Sequence, residues 1–326
     1  MQKKQKIERS GSFVRVSAIE VGTNSTKFIV AELVENDTYK VIHKTSINNR
    51  LSSGMYPEKY LSSEGIDKCI QILREYINES VSMGAKLLSV FSTSVLRDAK
   101  NKTAFIGAVK KEFGIDINVI SGKHEAYLTH TACSGVMSSP KILFSSIDIG
   151  GGSTEFSIGD SCEIDTKVSL DIGAVRLTEM FVNNDPVLDT EIDRIRDYVD
   201  EKLGTAADLN IQGMALIGTG GTIKSLGTIS LCTDYKDEEK VNGLVLSRQD
   251  VERLFKFLSK LGIEEKRILK GLNPKRADVI AAGAAILVAV MDRYNISEIT
   301  ISSRGVLEGF ITDYLNSRKE GMYVTD

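Results

Sequence analysis

The stretch "SIDIGGGSTEFSI", residues 146–158, runs a carboxylate, Asp148, into a glycine-rich turn and then into two hydroxyls, Ser153 and Thr154. "AIEVGTNSTKFIV", residues 18–30, does the same with Glu20, Gly22, Ser25 and Thr26. Side by side the two match at Ile19/Ile147, Gly22/Gly150, Ser25/Ser153, Thr26/Thr154 and Phe28/Phe156, every pair 128 residues apart. Glycines let a backbone approach a ligand closely and turn several N–H groups toward one point, which makes an anion-binding nest. Hydroxyls add donors. A carboxylate beside an anion is repulsive unless a cation lies between them, so the combination predicts a hard divalent ion such as Mg2+. Two such loops facing each other would grip a chain of phosphates from both sides. Taken singly, "GGGST" is as well explained by a tight hairpin; the repeat in register favours phosphate binding.

A third glycine loop, "LIGTGGTIKSLG" at 216–227, follows an apolar strand and precedes a helical pattern. Gly218, Gly220, Gly221 and Thr222 could place backbone donors at a helix N-terminus, where the dipole favours anions. The loop lacks the GKS/T ending of a Walker loop and the spacing of a dinucleotide fingerprint, so alone it is a weak signal.

The elements that must position these loops are legible as a pattern. β-rich runs at 13–21, 27–34 and 39–47, separated by turns such as "ENDT", predict an antiparallel meander. A helix follows with Ile66, Cys69, Ile70, Leu73, Tyr76, Ile77 and Val81 on one apolar face. Then come strand "KLLSVFS", a helix closed by Gly114, strand "INVIS" and a helix opening after Gly122. "GVMSSPKI", 135–142, is the expected boundary, after which strand, glycine turn and strand restart. Helices are expected at 189–203 and 248–261, the second with Ser247 as N-cap and Gly262 just past its end.

Composition excludes several classes. The 326-residue chain carries 41 basic and 44 acidic residues, so its net charge of −3 makes no global field for nucleic acid or an anionic membrane. Aromatics are only 6% and tryptophan is absent, against the stacking surfaces of nucleic-acid binders. The apolar run "VIAAGAAILVAVM", 279–291, falls short of the roughly 20 residues of a membrane span and reads as a buried helix. "MQKKQKIERSGS" lacks the order of a secretory signal and reads as a frayed tail. Cys69, Cys133, Cys162 and Cys232 are too scattered for a zinc or disulfide framework, and a reduced, cytoplasmic location is expected.

Two phosphate loops followed by "GTGGT" are the layout of the actin-like ATPase superfamily. Within it the chain resembles the exopolyphosphatase and guanosine pentaphosphate phosphohydrolase family. The matching stretches are "AIEVGTNSTKF", "STSVLRDAKN", "VISGKHEAYL", "IDIGGGSTEFSIG", "SLDIGAVRLTEMF", "GTGGTIKSL", "LNPKRADVIAAGAAIL" and "SSRGVLEG", in family order from residue 13 to 312. The resemblance implies an α/β protein of two ribonuclease H-like domains, each a mixed five-stranded sheet flanked by helices, with a cleft between them. The expected domains are 12–135 and 136–326, the C-terminal segment packing back on the first. It implies Mg2+- or Mn2+-dependent hydrolysis of the terminal phosphoanhydride of inorganic polyphosphate, or of the 5′ γ-phosphate of guanosine pentaphosphate. A homodimer is among the expectations.

By the same resemblance the general base falls on Glu125 of "SGKHEA". Asp148 and Glu155 match the acid pair of "DIGGGSTE"; Asp148, with Glu20, would position the metal, and Glu155 would orient the metal or the attacking water. Arg97 of "STSVLRDAKN" would hold phosphate oxygens in its guanidinium fork. Asn24, Ser25, Gly151, Gly152, Ser153 and Thr154 would cradle the phosphates, with Gly220 and Gly221 completing the set. The bland readings are a first-turn acid satisfying a helix dipole for Glu125 and a pair with Asp98 for Arg97.

Three positions depart from the family. Glu20 replaces its aspartate, which displaces a metal ligand by roughly an ångström. His124 replaces an acid beside Glu125, which predicts a lower pKa there. Leu307 replaces an arginine. These departures keep a second class open, a protein that binds guanosine tetraphosphate or polyphosphate without turnover. A sugar- or acetate-kinase-like phosphotransferase is disfavoured by "GAVRLTE" and "RADVIAAG".

Overall fold

The computed structural model describes residues 14–34 and 38–319. The polar start, Phe13, the interior of the "ENDT" turn and the last residues of the chain lie outside the described residues.

The first sheet begins with the expected meander of β1 (Val14–Val21), β2 (Thr26–Val34) and β3 (Thr38–Ile47). β4 (Ala85–Ser92) pairs parallel to β1 and β5 (Ile117–Val119) parallel to β4, giving the order β3-β2-β1-β4-β5. Between and after them run α1 (Ser63–Ser82), α2 (Ser94–Asp98), α3 (Lys102–Phe113) and α4 (Gly122–Cys133). The second sheet repeats the plan. β6 (Phe144–Ile149), β7 (Thr154–Gly159) and β8 (Ile164–Leu170) form a meander, and β9 (Ala215–Thr219), β10 (Val245–Ser247) and β11 (Glu298–Ile301) extend it in the order β8-β7-β6-β9-β11-β10. β6, β9 and β11 are parallel, as β1, β4 and β5 are. The sixth strand, beyond the five expected, is the short β10, which pairs antiparallel to the edge of β11 just before α8 begins. The remaining helices are α5 (Ala174–Phe181), α6 (Asp189–Gly204), α7 (Gly220–Ser230), α8 (Arg248–Lys260), α9 (Ile263–Arg267), α10 (Ile280–Arg293) and α11 (Val306–Lys319).

Local signals explain most boundaries. The Ser62 hydroxyl accepts the Gly65 N–H and starts α1, which buries Cys69, Ile70, Leu73 and Tyr76. Its last turn differs from expectation: Ser80 points inward, 2.7 Å from the Ser17 hydroxyl, and Val81 is left 73% exposed. Gly114 closes α3 with a left-handed φ of 70°. Ser247 caps α8 by accepting the Asp250 N–H, with Asp250 returning the bond to the Ser247 N–H. Gly262 does not close α8 with a left-handed turn; its φ is −71° and it opens α9 instead.

The run at 279–291 becomes α10, buried in the core of the second half against α6 and α8. α11 covers the other face of the first sheet, packing Val306, Leu307 and Ile311 on Val16, Ala18 and Ile29. It crosses α4 at Gly309, where a Cβ would lie 1.9 Å from the Leu128 carbonyl oxygen, so only glycine permits this approach. α4 also lies on β6, β7 and β8, and its first turn brings Glu125 to the glycine loops. Among the described residues no helix is long and apolar enough to cross a membrane.

Candidate active site

The two repeated turns are the same structure. In each, the first glycine N–H donates to the serine carbonyl three residues on, Gly22 to Ser25 and Gly150 to Ser153, both at 3.0 Å. They face each other directly. A Cβ on Gly151 would lie 2.9 Å from Thr23 Cβ, and one on Gly152 would meet the hydroxyls of Ser94 at 2.5 Å and Thr23 at 2.9 Å. Glycine is required there by close approach rather than by φ. Beside the loops opens a cavity lined by Asn24, Ser25, Gly151 and Ser153 from the turns, by Gly220 and Gly221 from the third loop, and by Glu20, Glu125 and Asp148.

The strands place these acids. β1 and β6 carry Glu20 and Asp148 to their ends, and their cross-strand partners are Lys27 and Glu155. The backbone repeat thus holds opposite charges at equivalent positions. Lys27 Nζ donates to both oxygens of Glu20, at 3.1 and 3.0 Å. Burial opposes the Lys27 charge, but Glu20 and Asp148 outweigh it and its pKa is raised. Asp148 accepts no side-chain hydrogen bond from the described residues, and burial raises its pKa against the pull of Lys27.

Glu125 stands in the first turn of α4, whose N-cap Ser121 accepts the His124 N–H. Its Oε2 accepts from Arg97 Nη1 at 2.7 Å, and the carboxyl is 6% exposed at the cavity. Burial pushes Glu125 up to about 7, although Arg97 draws it down. His124 itself is exposed and stacks on Tyr127, and burial sets the direction of the Glu125 shift. Glu155 is not in the cavity wall. Its Oε1 accepts from Ser153 and Ser169 at 2.6 and 2.7 Å, and its Oε2 is buried with no partner. Desolvation, then the nearby Glu125 charge, holds its pKa well above the usual carboxylate range.

Two predicted cradle members, and the arginine expected to hold phosphate, point elsewhere. The Thr154 hydroxyl donates to the Ile172 carbonyl, Gly152 is covered by Ser94, Thr23 and Tyr56, and Arg97 is committed to Glu125, Ser153 and the Ile120 carbonyl rather than lining the cavity. Asp98 pairs with Arg176 and Lys59, not Arg97. Leu307, on α11, is packed in the apolar layer between that helix and the first sheet.

The sequence profile of the Ppx/GppA phosphatase family matches residues 29–318. The chain belongs to the Ppx/GppA phosphatase family. Among its relatives, the bifunctional 3-dehydroquinate synthase/phosphatase of Fusobacterium nucleatum is 34% identical over 322 residues, covering 94% of this chain and 47% of that protein. The chain therefore spans about half the length of that relative. Exopolyphosphatase 1 of Mycobacterium tuberculosis is 28% identical over 314 residues, covering 94% of this chain and 90% of that protein. The crystal structure of an exopolyphosphatase from Cytophaga hutchinsonii superposes with a TM-score of 0.83 at 27% identity, covering 93% of this chain and 98% of that one. The fold is that of the actin-like ATPases, two mixed sheets flanked by helices.

In this Ppx/GppA chain, sequence reasoning passed over two cations of the cavity wall, Lys27 and Arg276. Arg276 forms no ion pair with a described residue, and its guanidinium lies so close to Gly221 that a Cβ there would be 1.7 Å from Nη2. Both residues stand inside stretches that carry the family resemblance; the signal was present, but only register and packing turn them toward the cavity.

Proposed function

We propose that the chain is an exopolyphosphatase that hydrolyses the terminal phosphoanhydride of inorganic polyphosphate and releases orthophosphate. The observation that carries this reading is Glu125, a buried carboxyl whose pKa is raised toward neutrality, standing at one cavity with two mutually facing glycine turns. The turns and the hydroxyls of Ser25 and Ser153 bind phosphate oxygens, and Lys27 and Arg276 balance their charge. A water attacks the terminal phosphorus and passes its proton to Glu125 as the new P–O bond forms and the anhydride P–O bond breaks. Arg97 and Glu155 orient the Glu125 carboxylate from behind.

No group of three or more His, Cys, Asp or Glu among the described residues could hold a metal by itself. A hydrated Mg2+ needs only one or two protein carboxylates. Asp148, with its carboxylate uncommitted, fits that demand; Glu20, doubly bonded to Lys27, does not. When bound, Mg2+ or Mn2+ would neutralise phosphate charge beside Asp148.

Among the described residues that line the cavity none is aromatic, so none there is placed to stack on a base, and on this ground polyphosphate is preferred to guanosine pentaphosphate as the substrate. The test is Mg2+-dependent phosphate release from long-chain polyphosphate and from guanosine pentaphosphate in parallel, for the native chain and Glu125→Gln. Faster release from polyphosphate, lost in the variant, is expected. Tight binding of either compound without release would overturn the enzyme in favour of a sensor.

A further inference from the structure

α4 is seated on the second sheet partly by apolar contact, with Cys133 against Phe144 and Ile217. In the same interface lies a buried polar cluster. His130 of α4, Ser146 of β6 and Ser157 of β7 are each at most 1% exposed. His130 Nδ1 lies 3.1 Å from the Ser157 hydroxyl and 3.3 Å from that of Ser146, and the two hydroxyls are 2.6 Å apart. His130 Nε2 lies 3.2 Å from the Asp160 carbonyl oxygen. A carbonyl can only accept, so Nε2 carries the proton and Nδ1 accepts one from a hydroxyl. The ring stacks on Phe144 with centroids 4.1 Å apart.

The cluster continues the line of the candidate acids. Glu155 and Ser157 are two apart on β7 and so share a face. Glu155 meets Arg97 and, through it, Glu125. Ser157 lies 3.4 Å from the carbonyl oxygen of Ala126, the residue after Glu125. Apolar side chains of similar volume would cover this surface about as well, since replacing both partners of a buried hydrogen bond is nearly neutral for stability. Hydrogen bonds differ from apolar packing in being directional. A slip of α4 by one residue, about 1.5 Å, would leave apolar packing largely intact yet break the 2.7 Å contact of Glu125 with Arg97.

We propose that His130 and Ser157 are positioning residues that pin the axial register of α4 on β7 and thereby hold Glu125 in place. This deepens the reading of Glu125 as the base and rests on it. Gly122 limits movement at the other end of the helix, where a Cβ would lie 2.3 Å from Ser169 Cβ.

The experiment compares the native chain with His130→Phe, with His130→Gln, and with the all-apolar combination of His130→Phe, Ser146→Ala and Ser157→Ala. Activity is read on long-chain polyphosphate with Mg2+, and amide hydrogen exchange is read over residues 122–133. The apolar combination removes the three side-chain partners together and deprives only the half-buried Asp160 carbonyl of its donor, so it is expected to melt near the native chain. It should exchange faster in α4 and lose about tenfold to a hundredfold in kcat with KM unchanged. His130→Gln, which keeps a donor and an acceptor, should recover most of the loss relative to His130→Phe. Native exchange and native kcat in a folded apolar variant would overturn the pin, as would a kcat that falls only with the melted fraction. Glu125→Gln separates the two ideas: native kcat in that variant rejects the base, whereas the exchange of α4 judges the pin without turnover.

Discussion

Arg97 joins two carboxylates from different parts of the chain, its Nη1 2.7 Å from Glu125 Oε2 and its Nη2 3.5 Å from Glu155 Oε1. Two buried carboxylates cannot both ionise cheaply in a low dielectric, and the guanidinium between them lets one stay charged. Removing one partner of a buried pair costs about 3–5 kcal/mol. Arg97→Met is therefore expected to lower the melting temperature and to cut kcat by about a hundredfold or more, the range in which a general base contributes. Arg97→Lys keeps the charge but has no fork to reach both acids, so it should recover stability better than rate. Native turnover in Arg97→Met would remove the pair from the mechanism.

The pH profile follows from the same geometry. A base works only when deprotonated, and burial raises Glu125 to about 7. The expected kcat/KM of the free enzyme rises with pH below that value and levels above it, with a slope of about tenfold per unit on the acid side for a single required deprotonation. Because Glu155 sits in contact with the same arginine, the inflection belongs to the pair. Activity that is flat from pH 5 to 8, measured as initial phosphate release, would contradict a base raised by burial.

Gly221 makes room for a guanidinium, not directly for a ligand. Gly221→Ala would place a Cβ 1.7 Å from Arg276 Nη2 and must push that side chain out of the cavity wall. Arg276 is read as binding phosphate equally in the ground and transition states, so KM should rise by about tenfold with kcat little changed. Gly220→Ala is expected to be worse. Its φ of +92° disfavours any side chain, and the Cβ would come within 2.3 Å of Asp148 Oδ1, so kcat and the Mg2+ requirement should both suffer.

How far the sequence disclosed this site depends on whether a role follows from local spacing or from packing. The repeated turns were readable because a glycine-to-serine hydrogen bond is a local event, and both copies close at the same distance. The meander and the buried α10 were readable by alternation and by apolar length. Lys27 was not: its place opposite Glu20 is the place Glu155 holds opposite Asp148, which becomes apparent only once the strands are in register. Thr154 looked like a donor at the start of a strand, but the pleat turns its hydroxyl to Ile172. Glu125 was legible only through family resemblance, since a first-turn acid has an ordinary explanation. Its raised pKa depends on Arg97, Glu155 and burial that no local window contains.

Arg176 supplies the last prediction, because it fastens the second glycine turn to the end of α2 and to the loop at Tyr56. Its Nε donates to the Gly152 carbonyl at 2.7 Å, its Nη2 bonds the Asp98 carboxylate, and its guanidinium lies 4.4 Å from the Tyr56 ring centre. Nearby, the Glu179 carboxylate accepts the backbone N–H groups of Gly54 and Tyr56 at 2.9 and 3.1 Å. Arg176→Lys preserves one charge but cannot serve the carbonyl and the carboxylate together. Freed of that clamp, Gly152 can move away from Thr23 and Ser94, and the turns no longer face at a fixed spacing. The expected result is a lower melting temperature and a rise in KM for polyphosphate, with Glu179→Gln milder in both because one of its two backbone donors can still bond the amide oxygen. Thermal melts and phosphate-release kinetics on the two variants decide it: if Arg176→Lys loses stability but binds polyphosphate as the native chain does, the clamp serves the fold and not the phosphate grip.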